Sequence, residues 1–274
     1  MAVDLSGAHL GRLDDGEFSH RLGLRRLNQG QWLELSHPAL DEQRRQKAKL
    51  MSELGSELLV VLPEAEAAAL ELQSEIAEEH VLQDVPQPDF DPNLHPLDAA
   101  ARTVREDLCL VSLIDGDLVL VGGSVCFPTR WTLSEKVGRN LDLIHEPVPG
   151  YAEDVADRVN TFVARLPAGA GVWRRNWSLM PTGELCLPGR HDHLPLGTEP
   201  ADMWLRTERQ TLRRLRRTGA VVFTIAIDVD PLPTLRGSDP ARQLANAVES
   251  LPAAFANYKG LALQGSAVAA YLRS

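Results

Sequence analysis

Two apolar runs, Leu108 to Ile114 (LCLVSLI) and Leu118 to Val125 (LVLVGGSV), are joined through Asp115-Gly116. Both positions of Asp-Gly tolerate positive φ, which the tightest hairpin turn requires, so the segment predicts two antiparallel strands. Gly122-Gly123 interrupts the second strand and predicts either a bulge or a close approach by a flat ligand.

The hairpin is followed by helical and then by extended patterns. Thr132 to Ile144 reads as a helix with a capping box, Thr132-x-x-Glu135, and a core stripe of Leu133, Val137, Leu141 and Ile144. Pro147 and Pro149 forbid its continuation. Tyr151 to Leu166 reads as a second amphipathic helix, and Val172 to Met180 as a strand with Trp173, Arg175, Trp177 and Leu179 on one face. Met203 to Leu215 fits a thin helical stripe or a strand with Arg206, Glu208, Gln210 and Leu212 on one face. The strand is favoured, because Thr218-Gly219 forms a turn into the β-branched run Ala220 to Asp228. The resulting order is strand, strand, helix, helix, strand, strand, strand. It predicts an α+β fold: a PAS-like curved antiparallel sheet whose concave face, closed by inserted helices, holds a ligand.

Upstream, Gln31 to Leu35 (QWLEL) reads as a short strand and Ala39 to Leu54 as a charged helix. Pro63 to Leu82 is a strong helix, with Leu70, Gln73, Ile76 and Ala77 at helical spacing. Asp84 to Pro96 is Pro- and Asp-rich and reads as a surface linker or a boundary; Leu97 to Glu106 reads as a short helix. Arg242 to Leu251 and Ala253 to Leu263 predict C-terminal helices. The expected organisation is an N-terminal arm and helical region over 1–96 packed on a core over 97–235, with C-terminal helices over 236–274.

Charge and cysteine usage narrow the function. A formal net charge of -10 opposes nucleic acid and anionic membranes. Cys109, Cys126 and Cys186 lack CxxC spacing, and an odd count fits reduced thiols, so a cytoplasmic location is expected. No run is long and apolar enough for a membrane span, and the N-terminus lacks the regions of a signal peptide. GxGxxG after a strand, a P-loop, HExxH and GxSxG are all missing, which argues against dinucleotide enzymes, nucleotide hydrolases and serine hydrolases.

Several residues can carry chemistry, and each also has a plainer reading. His145 ends a helix, where a protonated ring would cap the dipole and a neutral ring would bind a metal. His191 and His193 form an HxH without an evident third ligand, in what also reads as a solvated loop. Cys126 is a buried thiol or a thiolate ligand. Arg206, Glu208 and Gln210 are ordinary on an outer face. On an inner face they would be costly unless they bound each other or a ligand. The run Arg213, Arg214, Arg216 and Arg217 fits a solvated strand end, a docking patch for an acidic partner, or contacts to cofactor carboxylates.

VCFPTRW, SEKVGRNLDLIHEPVPGY, RRNWSL and LRTERQTLRRLRRTGAVVFTI resemble, in that order, the haem-dependent oxidative N-demethylase α-subunit family. The likeness extends upstream to LGLRRLNQGQWLEL and HPLDAAARTVREDLCLV. The chain departs from the family at Arg216, where Pro is usual, and at Ala226-Ile227-Asp228. The resemblance implies a PAS-like domain binding haem b and demethylating a small secondary amine such as dimethylamine with O2, releasing formaldehyde. Electrons would come from an NADPH-dependent reductase whose flavin and iron–sulfur centres sit on separate subunits, giving a homo- or hetero-oligomeric assembly. His145 is then the first choice for the iron ligand, with His193 and Cys126 as alternatives. Asn176, Trp177, Phe127 and Arg175 would line the cofactor cavity. Arg206, Glu208 and Gln210 would form the wall near iron or substrate, with Glu208 holding the amine or relaying protons and Arg206 stabilising oxygen. A non-catalytic haem-based gas or redox sensor is the alternative function.

Overall fold

The computed structural model describes residues 23–189, 194–195 and 197–274. Its elements are β1 (Arg25–Arg26), α1 (Leu40–Leu58), β2 (Leu59–Val61), α2 (Glu66–Leu82), α3 (Pro96–Ala101), β3 (Asp107–Ile114), β4 (Asp117–Ser124), α4 (Leu141–His145) and α5 (Ala156–Arg165), followed by β5 (Gly171–Met180), β6 (Trp204–Arg214), β7 (Val221–Pro231), α6 (Asp239–Glu249), α7 (Ala253–Tyr258) and α8 (Gly265–Arg273). The strands form one open antiparallel sheet in the order β1-β5-β6-β7-β3-β4-β2. The fold is α+β, and from β3 onward it has the expected hairpin, inserted helices and three-stranded meander.

Asp115 and Gly116 carry φ values of 51° and 95°, and Ile114 pairs with Asp117, so the tight turn forms as its residues dictate. Leu110 pairs with Gly122 and Val111 with Leu120, leaving Val121 as the extra residue of a bulge. A Cβ on Gly123 would lie 2.7 Å from Leu133 Cδ1, and one on Gly122 would lie 3.2 Å from Ala65 Cβ. The close approach to these glycines is therefore made by the protein's own side chains. Trp204 to Arg214 is paired along its length on both sides, which resolves the ambiguous segment in favour of the strand.

Three expectations are corrected. Gln31 to Leu35 is no strand: Trp32, Leu33 and Leu35 are all buried, and carboxylates of Glu79 and Glu106 accept the amides of Trp32 and Glu34 at 2.8 Å. The segment from Thr132 to Ile144 is not one helix. Thr132 makes no capping bond, a 3-10 turn spans Leu133–Glu135, and Gly138 turns the chain with φ 84°. Residues 138–140 then bond to the edge of β4 through Gly138 N to Leu120 O and Leu120 N to Arg139 O, which replaces helical bonding. Asn140 starts α4 by accepting the Leu143 amide at 3.0 Å. On α2 the buried face is Ala68, Ala69, Leu72 and Ile76, while Leu70 is exposed.

The two faces of the sheet are covered differently. The inserted α4–α5 segment packs Leu141, Ile144, Val159, Phe162 and Val163 on Cys109, Val111, Leu212 and Phe223, and this side is the inner face. On the outer face, α2 and α3 cover Leu108, Leu110 and Val222, whereas the C-terminal helices cover Trp177, Leu179 and Leu205. The basic run at the end of β6 is not a free patch. Arg213 donates to Glu75 through Nε (2.9 Å) and Nη2 (2.6 Å), Arg216 pairs with Glu78, and Glu71 accepts the amides of Arg217 and Thr218. Glu71, Glu75 and Glu78 lie one turn apart on α2, so one helix face meets Arg213, Arg216 and Arg217, while Arg214 donates to the carbonyls of Gly219 and Val163.

Candidate functional site

β5 and β6 lie in register with Arg174 opposite Gln210, Asn176 opposite Glu208 and Ser178 opposite Arg206. Because strand side chains alternate with period two, all six face inward with Leu212 and Phe223. Arg174 Nε donates to Gln210 Oε1 at 2.7 Å, and Gln210 Nε2 donates to Glu208 Oε2 at 2.8 Å. Asn176 Nδ2 reaches the same carboxylate oxygen at 3.4 Å, and Thr129 Oγ1 reaches Glu208 Oε1 at 3.2 Å. Glu208 is thus half-buried and held by three neutral donors, with no cation closing an ion pair among the described residues.

His145 faces this cluster from the end of α4. Its Nδ1 lies 2.8 Å from Leu141 O, and since a carbonyl only accepts, Nδ1–H is the donor. The neutral ring then carries its lone pair on Nε2, which has no protein partner among the described residues. Burial, the largest cause, pushes the imidazole below its ordinary value, with Arg174 and Lys136 adding to the shift. One ring nitrogen therefore serves the helix end while the other stays available. Tyr151 stacks on the ring at 4.6 Å and 15°, which fixes its plane, and Tyr151 Oη is buried without a hydrogen-bond partner. Burial pushes the Tyr151 phenol up to about 12.

The C-terminal segment closes the open edge of β5. Lys259 Nζ donates to Trp177 O at 2.6 Å and sits 4.5 Å from the Trp177 ring centroid. Burial drives its ammonium down to about 8, Glu208 opposes that shift, and Arg130 and Arg174 reinforce it. Tyr258 feels the same three charges.

The structure separates the residues singled out from sequence. Asn176, Glu208 and Gln210 share the inner-face cluster, and His145 lies within electrostatic reach of Arg174 beside it. Trp177 and Arg175 point to the opposite face by strand alternation, so Trp177 does not line the same cavity as Asn176. Trp177 is 2% exposed among the C-terminal helices, and Arg175 lies over Trp173 at 5.9 Å. Arg206 is on the inner face but 0% exposed; Nη2 donates to Phe127 O (2.7 Å) and Leu185 O (3.0 Å), and Nη1 to Glu184 O (3.3 Å). Its two terminal nitrogens pin two loops, while Nε is buried without a hydrogen-bond partner. Phe127 and Cys126 are buried beside Met51, Leu58 and Ile227, with both amides accepted by Asp107 at 2.9 Å. Burial pushes the Cys126 thiol up to about 12, against a thiolate ligand. His191 and His193 lie outside the described residues.

Arg174, Tyr151 and Lys259 were not singled out from sequence. Arg174 was legible only through the register that sets it opposite Gln210. Nothing local marks Lys259.

A third cluster, Glu34, His37 and Asp228, has metal-like spacing. Its centre is held by Arg105, which is 0% exposed and bonds Glu34 at 2.6 Å and Asp228 at 2.5 Å, so a cation already occupies it.

Fold and site together define an α+β sheet protein with a polar, partly accessible inner-face site under inserted helices. A family model described as haem-dependent oxidative N-demethylase, alpha subunit-like, matches residues 79–269, and the chain belongs to that family. The family's name implies haem dependence and a multi-subunit enzyme. The donor set suits a haem: a neutral imidazole whose Nε2 has no partner among the described residues, and a stacked tyrosine fixing its plane. Among the described residues, no helix is long and apolar enough to cross a membrane.

Proposed function

We propose that this chain is the haem-binding oxygenase subunit of an oxidative N-demethylase. It holds haem b through His145 Nε2 and removes a methyl group from a small secondary amine as formaldehyde. The observation that carries this reading is the His145 ring, whose Nδ1 proton is committed to Leu141 O while Nε2 is left free. When bound, the haem supplies oxygen activation, with electrons arriving from NADPH through flavin and iron–sulfur centres on separate reductase subunits.

The chain's own residues do the rest. Glu208 holds the amine as an ammonium ion, since its three neutral donors fix the carboxylate without neutralising it. Gln210 sets the carboxylate's orientation and transmits it to Arg174. Once the carbon next to nitrogen is oxidised, the carbinolamine breaks to aldehyde and amine. Glu208 is placed to move the proton from hydroxyl to nitrogen. Arg206 acts as a positioning residue, tying the loop at Phe127 to the loop at Glu184 and Leu185. The inserted helices cover part of the inner face in the PAS-like manner.

The test is haem titration of wild type and His145→Ala, followed by Soret absorbance and electron paramagnetic resonance. Wild type is expected to take up one haem with a histidine-ligated spectrum, and the variant to lose haem or change ligand field. An unchanged spectrum in His145→Ala removes this ligand assignment, and no haem uptake by wild type removes the whole reading. Glu208→Gln is expected to keep the Soret band while lowering formaldehyde release from dimethylamine, driven by a surrogate reductant, by about 10²-fold. Reversible CO binding without any formaldehyde would favour a sensor instead.

A further inference from the structure

Glu208, Arg174 and Lys259 influence one another electrostatically, yet none of them closes an ion pair among the described residues. Arg174 is engaged only through Nε, which donates to Gln210 Oε1 at 2.7 Å, so its terminal nitrogens have no protein partner among the described residues. Lys259 has only a carbonyl and an indole face. Other cations in the molecule are treated differently. Arg105 is closed by Glu34 and Asp228, and Arg213 by Glu75.

A desolvated cation without a counter-charge is costly, and so is a carboxylate without one. Here opposite charges occupy one site and are kept apart by Gln210, which bonds Arg174 with its oxygen and Glu208 with its nitrogen. A ligand bearing both charges on a short linker would satisfy them together. A guanidinium with two free terminal nitrogens matches a carboxylate bidentately.

We propose that the Arg174 fork is a carboxylate seat facing Glu208, and that the amine demethylated here carries a carboxylate close to its nitrogen, as an N-methyl α-amino acid does. This rests on the amine-oxidising reading above and specifies its substrate class. A haem propionate is the other source of a carboxylate at Arg174, and the test separates the two.

Isothermal calorimetry with N-methylglycine and with dimethylamine, on haem-loaded and haem-free full-length protein, reads the preference directly. Wild type is expected to bind N-methylglycine at least about tenfold more tightly. Arg174→Gln should erase that advantage, and Arg174→Lys, which keeps the charge and loses the fork, should retain only part of it. Equal affinities in wild type overturn the proposal. So does a pattern in which Arg174→Gln weakens only haem retention, haem dimethyl ester binds wild type and variant alike, and N-methylglycine shows no advantage. If haem never binds but haem-free wild type shows the Arg174-dependent preference, the seat stands and the haem reading fails.

Discussion

The outer face beneath the N-terminal segment and the inner face beneath α4 both bury charge, and they do so in opposite ways. On the outer side, Arg105 and Arg213 meet carboxylates at hydrogen-bond distance. On the inner side, Glu208, Arg174 and the Nε2 of His145 meet neutral groups or nothing among the described residues, and Lys259 at the β5 edge meets only a carbonyl and an indole face. A closed set of charges holds elements together and has no further binding capacity. An open set costs stability and retains that capacity, which is why the proposed ligand and cofactor site lies on the inner face.

The sharpest way to break this contrast is to open a closed pair. Glu75→Ala leaves Arg213 without its carboxylate, and we expect a loss of about 3–5 kcal/mol in urea unfolding with haem uptake unchanged once folded. A large haem defect in a folded Glu75→Ala protein would show that the two faces are not independent. Arg206 tests the same contrast from within, because it faces inward yet is closed by carbonyls. Arg206→Met should therefore behave like an outer-face variant, losing about 1.5–3 kcal/mol of stability and keeping its Soret band.

How much of this was legible in the chain follows from the range of each signal. Asp115-Gly116 specified its turn locally, and period two in LRTERQ was enough to put Arg206, Glu208 and Gln210 on one face. Whether that face was open or sealed was not legible for Arg206, since its acceptors come from loops about twenty and eighty residues away in sequence. The capping box at Thr132 failed because an unpaired edge of β4 competed successfully for the backbone of residues 138–140. Trp177 was misplaced relative to Asn176 because adjacent strand residues always face apart. The acids of α2 that meet Arg213 and Arg216 lie about 140 residues upstream, beyond the reach of any local pattern.

A smaller effect is expected at α4, which carries His145. Asn140→Ala removes the bond from Asn140 Oδ1 to the Leu143 amide and should cost about 1 kcal/mol. Because α4 is a short helix at the site's rim, the change should show first as faster hydrogen exchange at residues 141–145. Haem affinity should fall less than in His145→Ala. Exchange unchanged at those amides would mean that packing of Leu141 and Ile144, and not the cap, holds the helix.

The smallest effect is the most specific to an open charge. Burial holds the Lys259 ammonium down to about 8, below its ordinary 10.5, so between those values the unfolded chain binds this proton more tightly than the folded one. Stability from this group therefore rises as pH increases from about 8 to about 10.5, and the penalty is fully present below 8. Glu208 offsets that penalty, while Arg130 and Arg174 add to it. Unfolding measured at both ends of the window should show wild type gaining about 0.5 kcal/mol relative to Lys259→Met, a figure reduced for the solvent that still reaches the side chain. A bound carboxylate would supply the missing counter-charge and flatten this slope, whereas dimethylamine would not. A slope that N-methylglycine leaves unaltered would place Lys259 among groups that tolerate burial for structural reasons, and would confine the open set to Glu208, Arg174 and His145.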